Sequence, residues 1–180
     1  MKLPKKLFKK MDLGSYLIYS AVILVGIAFD QLTKLLASVY LKPIDDVALW
    51  EGVFHLNYHE NTGAAFGMMS DARWVFMLFS TVAILLFGVY LFSGNVGNRL
   101  TGISAALIIS GGIGNMIDRI GMGYVVDFLY FKLIDFAIFN VADALVCIGA
   151  GLLVLAVVLE IIEESKKKKA EDDGEGAGDA

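Results

Sequence analysis

Four stretches of this chain are each long and apolar enough to cross a hydrocarbon layer, and no other feature constrains the fold as tightly. They cover approximately residues 16–36, 74–92, 100–117 and 141–162. A hydrocarbon core of about 30 Å takes roughly 20 helical residues. In lipid every backbone N–H and C=O must find a partner within the protein, which leaves helices or a closed barrel. The expected fold class is therefore an all-α integral membrane protein with four transmembrane helices. The first stretch follows a lysine-rich arm, as a cleavable signal peptide would. It runs past Asp30 and Lys34 without a small-residue cleavage site, so it is read as a retained span.

Composition agrees with this reading. Hydrophobic residues make up 57% of the chain and the mean hydropathy is +0.68, above the range of an ordinary soluble domain. The 180 residues suit a single domain over 1–165, followed by a tail over 166–180 expected to be disordered and cytoplasmic. The net charge of −4 comes from that tail: without Glu171, Asp172, Asp173, Glu175 and Asp179 the body is at +1. No basic face points to nucleic acid. The lone cysteine, Cys147, precludes an internal disulfide and is expected to be a small buried residue.

Loop charges orient the spans. Lys2, Lys5, Lys6, Lys9, Lys10, Arg99 and Lys166 to Lys169 lie on one side; only Lys42, Arg73, Arg119 and Lys132 lie on the other. The positive-inside rule puts both termini in the cytoplasm and the connections 38–73 and 118–140 outside. In Val53-Phe54-His55-Leu56-Asn57-Tyr58-His59-Glu60 polar and apolar residues alternate, the pattern of a small extracytoplasmic β-like segment. On a strand His55 and His59 stand about 13 Å apart, too far to share a metal ion, and no metal or cofactor is expected.

Polar residues within or beside the spans are the functional candidates, because a charge in the bilayer costs about 3 kcal/mol on insertion scales. Asp30 lies about 21 Å into the first span, and Lys34, one turn on, can pair with it. The third span ends in Gly111-Gly112-Ile113-Gly114-Asn115-Met116-Ile117-Asp118-Arg119, and the fourth starts at Asn140 and Asp143. The topology brings Asp30, Asn115, Asp118, Arg119, Asp127, Asn140 and Asp143 to one interface. Four aspartates with two or three basic partners leave a carboxylate pair under-neutralised, and such a pair holds one proton between its members. Asn140 is also a natural helix N-cap and Asp143 a first-turn acid, and Asp118 with Arg119 reads as an ion pair. The residues alone do not choose between Asp118 and Asp127 as the partner of Asp143.

Five ordered blocks carry a resemblance. They are Asp30-Gln31-Leu32-Thr33-Lys34, Asn61-Thr62-Gly63-Ala64-Ala65-Phe66-Gly67, the Gly111–Arg119 run, Val125-Val126-Asp127-Phe128, and Phe139-Asn140-Val141-Ala142-Asp143. With the four spans and their spacing, the chain resembles the lipoprotein signal peptidase family over about residues 15–162. The resemblance implies a bacterial cytoplasmic-membrane enzyme whose active site lies at the extracytoplasmic face. Its substrate is a diacylglyceryl-modified prolipoprotein, cut before the lipidated cysteine. The family pattern makes Asp127 and Asp143 the catalytic pair. It carries over Asp30, Lys34, Asn61, Gly63, Asn115, Asp118, Arg119 and Asn140 as supporting or substrate-binding residues. Besides substrate the expected partners are membrane lipids, and the chain is expected to be a monomer. Ala144 stands where many members have a hydroxyl, so one hydrogen bond to the pair is expected to be missing.

The rival reading is a small proton-coupled membrane transporter, since intramembrane acids also mark ion pathways. It needs polar residues through the full membrane depth, which the inner halves of the spans are read as lacking.

Overall fold

The computed structural model describes residues 11–63 and 73–175. The lysines of the N-terminal arm and residues 64–67 of the second block lie outside them. Helix α1, Leu13–Leu36, starts at Asp12, whose carboxylate accepts the Ser15 N–H at 2.9 Å. A π-helical turn, Ala37–Leu41, continues it. Strands β1 (Asp46–Trp50) and β2 (Phe54–Asn61) follow, then helices α2 (Arg73–Phe92) and α3 (Arg99–Gly121). Strand β3 (Val125–Tyr130), a 3-10 turn at Lys132–Ile134 and helix α4 (Val141–Glu175) complete the chain.

Among the described residues, three helical segments are long and apolar enough to cross a membrane: Leu13–Leu41, Arg99–Gly121 and Val141–Lys167. Within α2, Met77–Phe92 forms a shorter apolar helix. Large apolar side chains such as Leu24, Phe79, Leu86 and Val154 stand exposed on α1, α2 and α4, which suits a hydrocarbon solvent. Helix α3 is the centre and packs on all three others. Small residues permit that closeness: a side chain at Gly111 would strike the Ala142 carbonyl of α4.

Three expectations need correction. The fold is not all-α: the β-like segment is part of a three-stranded antiparallel sheet, order β1-β2-β3. Its third strand comes from the Val125 block, where Val126 and Phe128 are buried with Ala37 and Leu41. Alternation in β3 was masked because its residues are apolar or buried on both faces. Second, α4 continues beyond the span read over 141–162 to Glu175, so residues 166–175, expected to be disordered, are helical. Glu163 stands four before Lys167 in a run of good helix formers. Third, α3 carries buried Ser104 and Ser110 below its polar end. Their hydroxyls donate to the Leu100 and Ile23 carbonyls, so they do not extend the polar cluster inward.

Candidate active site

The last turns of α1, the C-terminal half of α3, strand β3 and the first turn of α4 meet where the sheet covers the bundle. Two groups of acids lie there. In the first, Lys34 is one turn beyond Asp30 on α1 and its Nζ sits 2.9 Å from Asp30 Oδ2. The same ammonium is 3.0 Å from Asp118 Oδ2 and donates to Asn115 Oδ1 at 2.9 Å. All three ionic side chains are buried. The expected Asp118–Arg119 pair is therefore replaced by an Asp118–Lys34 pair. Consecutive helical residues point about 100° apart, so Asp118 faces α1 while Arg119 turns to the cavity described below.

Gln31 was not singled out from the sequence, yet it joins the same group. Its Nε2 lies 3.0 Å from Asp118 Oδ1, 3.1 Å from the Gly114 carbonyl and 3.2 Å from Asp30 Oδ2. Its only signal was its place beside Asp30; an uncharged amide at a helix face gave no other.

The second group is held by amides. Asp127 lies on β3 between Val126 and Phe128, so alternation turns it away from the apolar packing under the sheet. Asn140 Nδ2 donates to its Oδ1 at 2.6 Å and Asn61 Nδ2 to its Oδ2 at 2.9 Å. Asn61 ends β2, and its Oδ1 accepts the Gly63 N–H at 2.9 Å, a local turn that fixes the side chain. Asn140 and Asp143 form a reciprocal cap on α4. The Asp143 N–H donates to Asn140 Oδ1 at 2.9 Å, and the Asn140 N–H to Asp143 Oδ2 at 3.1 Å. Asn115 Nδ2 donates to Asp143 Oδ1 at 2.7 Å. Capping and site-building, weighed from sequence as rival roles for Asn140, are thus carried by different atoms of one side chain.

Asp127 and Asp143 line one cavity of about 570 Å³. Asn61, Asn115 and Arg119 add polar wall; Phe136, Ile138, Phe139 and Ile148 make the rest apolar. Cys147, expected to be buried, is exposed and lines this cavity, because it lies one turn after Asp143 on the same side of α4. Ala144 also lines it, with no hydroxyl to offer the acids.

Among the described residues no ammonium or guanidinium lies within 4 Å of Asp127 or Asp143. Burial, and then the Asp143 charge, push the Asp127 carboxyl up to about 7, against the opposing effect of the Asn61 and Asn140 hydrogen bonds. His55 and His59 both lie on β2, as expected. The His55 ring is engaged by Asp46 at 2.9 Å and by the Gly52 N–H at 3.3 Å.

A sequence model of the family described as signal peptidase (SPase) II matches residues 22–159. The lipoprotein signal peptidase of Clostridium tetani is 42% identical over 149 residues, 81% of this chain and 96% of that protein. The lipoprotein signal peptidase of Bacillus subtilis is 36% identical over 155 residues, 85% of this chain and 99% of that one. A bacterial membrane enzyme solved by the in meso method at 2.3 Å superposes with a TM-score of 0.75 at 29% identity, covering 86% of this chain and 93% of that one. A second such enzyme, at 1.9 Å, gives 0.71 at 30% identity over 83% and 96%. A family match across the helices and all the acids just described, with relatives aligned nearly end to end, means that this chain belongs to the signal peptidase II family.

Proposed function

We propose that this chain is an aspartic endopeptidase of the bacterial cytoplasmic membrane that removes the signal peptide from diacylglyceryl-modified prolipoproteins, with Asp127 and Asp143 as its catalytic carboxyls. The names of its relatives support the substrate class. The observation that carries the chemistry is two acids from different elements lining one cavity, both held by amide donors and neither by a cation.

One carboxylate takes a proton from a water whose oxygen attacks the scissile carbonyl carbon; the other, protonated, hydrogen-bonds the carbonyl oxygen. The tetrahedral intermediate collapses with cleavage of the C–N bond, and the leaving nitrogen takes a proton from a carboxyl. The signal peptide leaves as a carboxylate and the lipidated cysteine gains a free amine. Asp127, raised to about 7, is suited to hold the shared proton near neutral pH. Asn61, Asn115 and Asn140 orient the pair, and Arg119 offers a cation to substrate carbonyls at the cavity wall.

The same reading makes α2, with 20 residues in all and so about 30 Å long, the fourth span. Both termini then face the cytoplasm, the sheet lies at the outer face, and residues 1–165 act as one monomeric domain among bilayer lipids. The apolar wall near Cys147 and Ile148 would receive a substrate that is itself a lipid-embedded helix. The purified chain should cleave a diacylglyceryl-modified prolipoprotein, and Asp127→Asn or Asp143→Asn should slow cleavage on the order of 10³-fold or more while leaving the fold intact. Full cleavage by either folded variant rules out the catalytic pair.

A further inference from the structure

Each acid of the first group also grips one backbone N–H, and the two N–H groups occupy matching places. Asp30 Oδ1 accepts the Ala142 N–H at 2.8 Å, and Asp118 Oδ2 accepts the Val126 N–H at 3.2 Å. Ala142 immediately precedes Asp143; Val126 immediately precedes Asp127. Both bonds are buried. The two gripping carboxylates are joined to one another twice, by Lys34 and by Gln31. We propose that Asp30 and Asp118, tied by Lys34 and Gln31, form a positioning clamp that sets the spacing of the two catalytic carboxyls through the main chain. This inference rests on the assignment of Asp127 and Asp143 made above.

The two site acids come from unlike elements, a strand and a helix start, joined on one side by Asn140 and by the backbone bonds of Phe139 to Phe128 and Leu129. Something must hold the two backbones at a fixed separation if one water is to bridge their side chains. The clamp adds a second hold from behind, on the residue before each acid, without entering the cavity. The Ala142 N–H belongs to the first turn of α4, where no intrahelical acceptor exists, and Asp30 supplies the acceptor from another helix. The bundle leaves room for this: a Cβ at Gly114 would come within 2.5 Å of Asp30 Oδ2. An ion pair serving only to neutralise charge would not need a backbone bond on each carboxylate, one residue before each site acid.

Spacing errors act on the chemical step, since a displacement near 1 Å can cost about 100-fold in rate. The test uses the full chain in lipid nanodiscs, a diacylglyceryl-modified prolipoprotein, and thermal melting to confirm folding. Asp118→Ala removes the acceptor for Val126 and is expected to lower kcat about 10- to 100-fold with KM little changed. Asp118→Asn keeps an oxygen where Oδ2 lies, so it should recover kcat to within about three-fold of wild type. Gly114→Ala, which pushes on Asp30 without deleting any group, should also lower kcat rather than raise KM.

A folded Asp118→Ala or Gly114→Ala with wild-type kcat overturns the clamp. So does a folded Asp118→Asn as slow as Asp118→Ala, because charge alone would then explain the loss. If Asp118→Ala does not fold, Asp118→Asn decides by the same threshold. Asp127→Asn is measured alongside. If it cleaves fully, the catalytic assignment fails; if it is dead while Asp118→Ala is fully active, only the clamp fails.

Discussion

The two groups of aspartates are made of the same residue type, meet at the same end of the bundle and share Asn115, yet their surroundings differ in kind. Asp30 and Asp118 each have the Lys34 ammonium within 3.0 Å. Asp127 and Asp143 have amide nitrogens at 2.6 to 3.1 Å and, among the described residues, no cation in contact. Asn115 stands on the border, accepting from Lys34 with its oxygen and donating to Asp143 with its nitrogen. A fixed charge opposite a carboxylate makes it an anchor. Amides fix a carboxylate's place but leave repulsion from its neighbour uncancelled, and that repulsion is what a shared proton relieves.

The strongest way to break this contrast is to remove the cation. Lys34→Met leaves Asp30 and Asp118 buried together without a counter-charge. Breaking a buried ion pair from one side costs about 3–5 kcal/mol. We expect a large fall in melting temperature, or loss of folded protein on purification. A Lys34→Met variant that melts with the wild type would mean that the first group is no more an anchor than the second.

A slightly smaller effect should come from the second group, with the opposite sign. The Asp127 carboxyl is raised from its ordinary value of 3.8 to about 7, so the folded state binds the proton more tightly than the unfolded one. Its contribution to stability is complete below pH 3.8 and is lost as pH rises to about 7. Asp127→Asn cannot ionise. Its melting temperature should therefore gain on the wild type across that window, by a difference no larger than about 4 kcal/mol. Cleavage by the wild type should fall as pH rises past about 7, where the shared proton is lost. A flat rate profile from pH 6 to 9, or melting curves that run parallel, would remove Asp127 from the shared-proton role.

The sequence made the four aspartates of both groups legible, but neither their division nor the part of Gln31. Spans follow from apolar length, and depth within a span follows from counting residues, so all the acids could be brought to one level. Which acid faces which partner depends on helix rotation and on contacts between residues more than eighty apart, such as Lys34 with Asn115. Adjacency in sequence suggests an Asp118–Arg119 pair, whereas helix rotation sends Asp118 to Lys34 instead. Strand β3 was equally hidden: a run buried on both faces has no alternation to read. The backbone bonds to Val126 and Ala142 are invisible in principle, since any residue supplies an N–H.

Asn140 sharpens the contrast from inside the second group. Asn140→Ala removes the α4 cap, for about 1 kcal/mol of stability, and also the donor at 2.6 Å from Asp127 Oδ1. That hydrogen bond favours the ionised form of Asp127, so its loss should move the alkaline limb of the rate profile to higher pH. The melting shift should be far smaller than that of Lys34→Met, while the pH profile, which reports the second group alone, should move. An unmoved profile would leave the residue as a helix cap only.

The smallest effect is expected from an ion pair that looks better than either. Lys42 Nζ and Glu60 Oε1 are 2.7 Å apart, closer than Lys34 to Asp30 or Asp118, but the side chains are 54% and 38% exposed. Water already solvates both charges, so the contact replaces hydration rather than supplying what burial removed, and salt screens the remainder. Glu60 lies beside Asn61 on β2, close enough to the site that a strained strand would show in turnover. Lys42→Met should nonetheless melt and cleave like the wild type, at low and high ionic strength alike. If it lost as much as Lys34→Met, distance rather than burial would be what separates an anchor from an ordinary contact, and the division between the two acid groups would need a different cause.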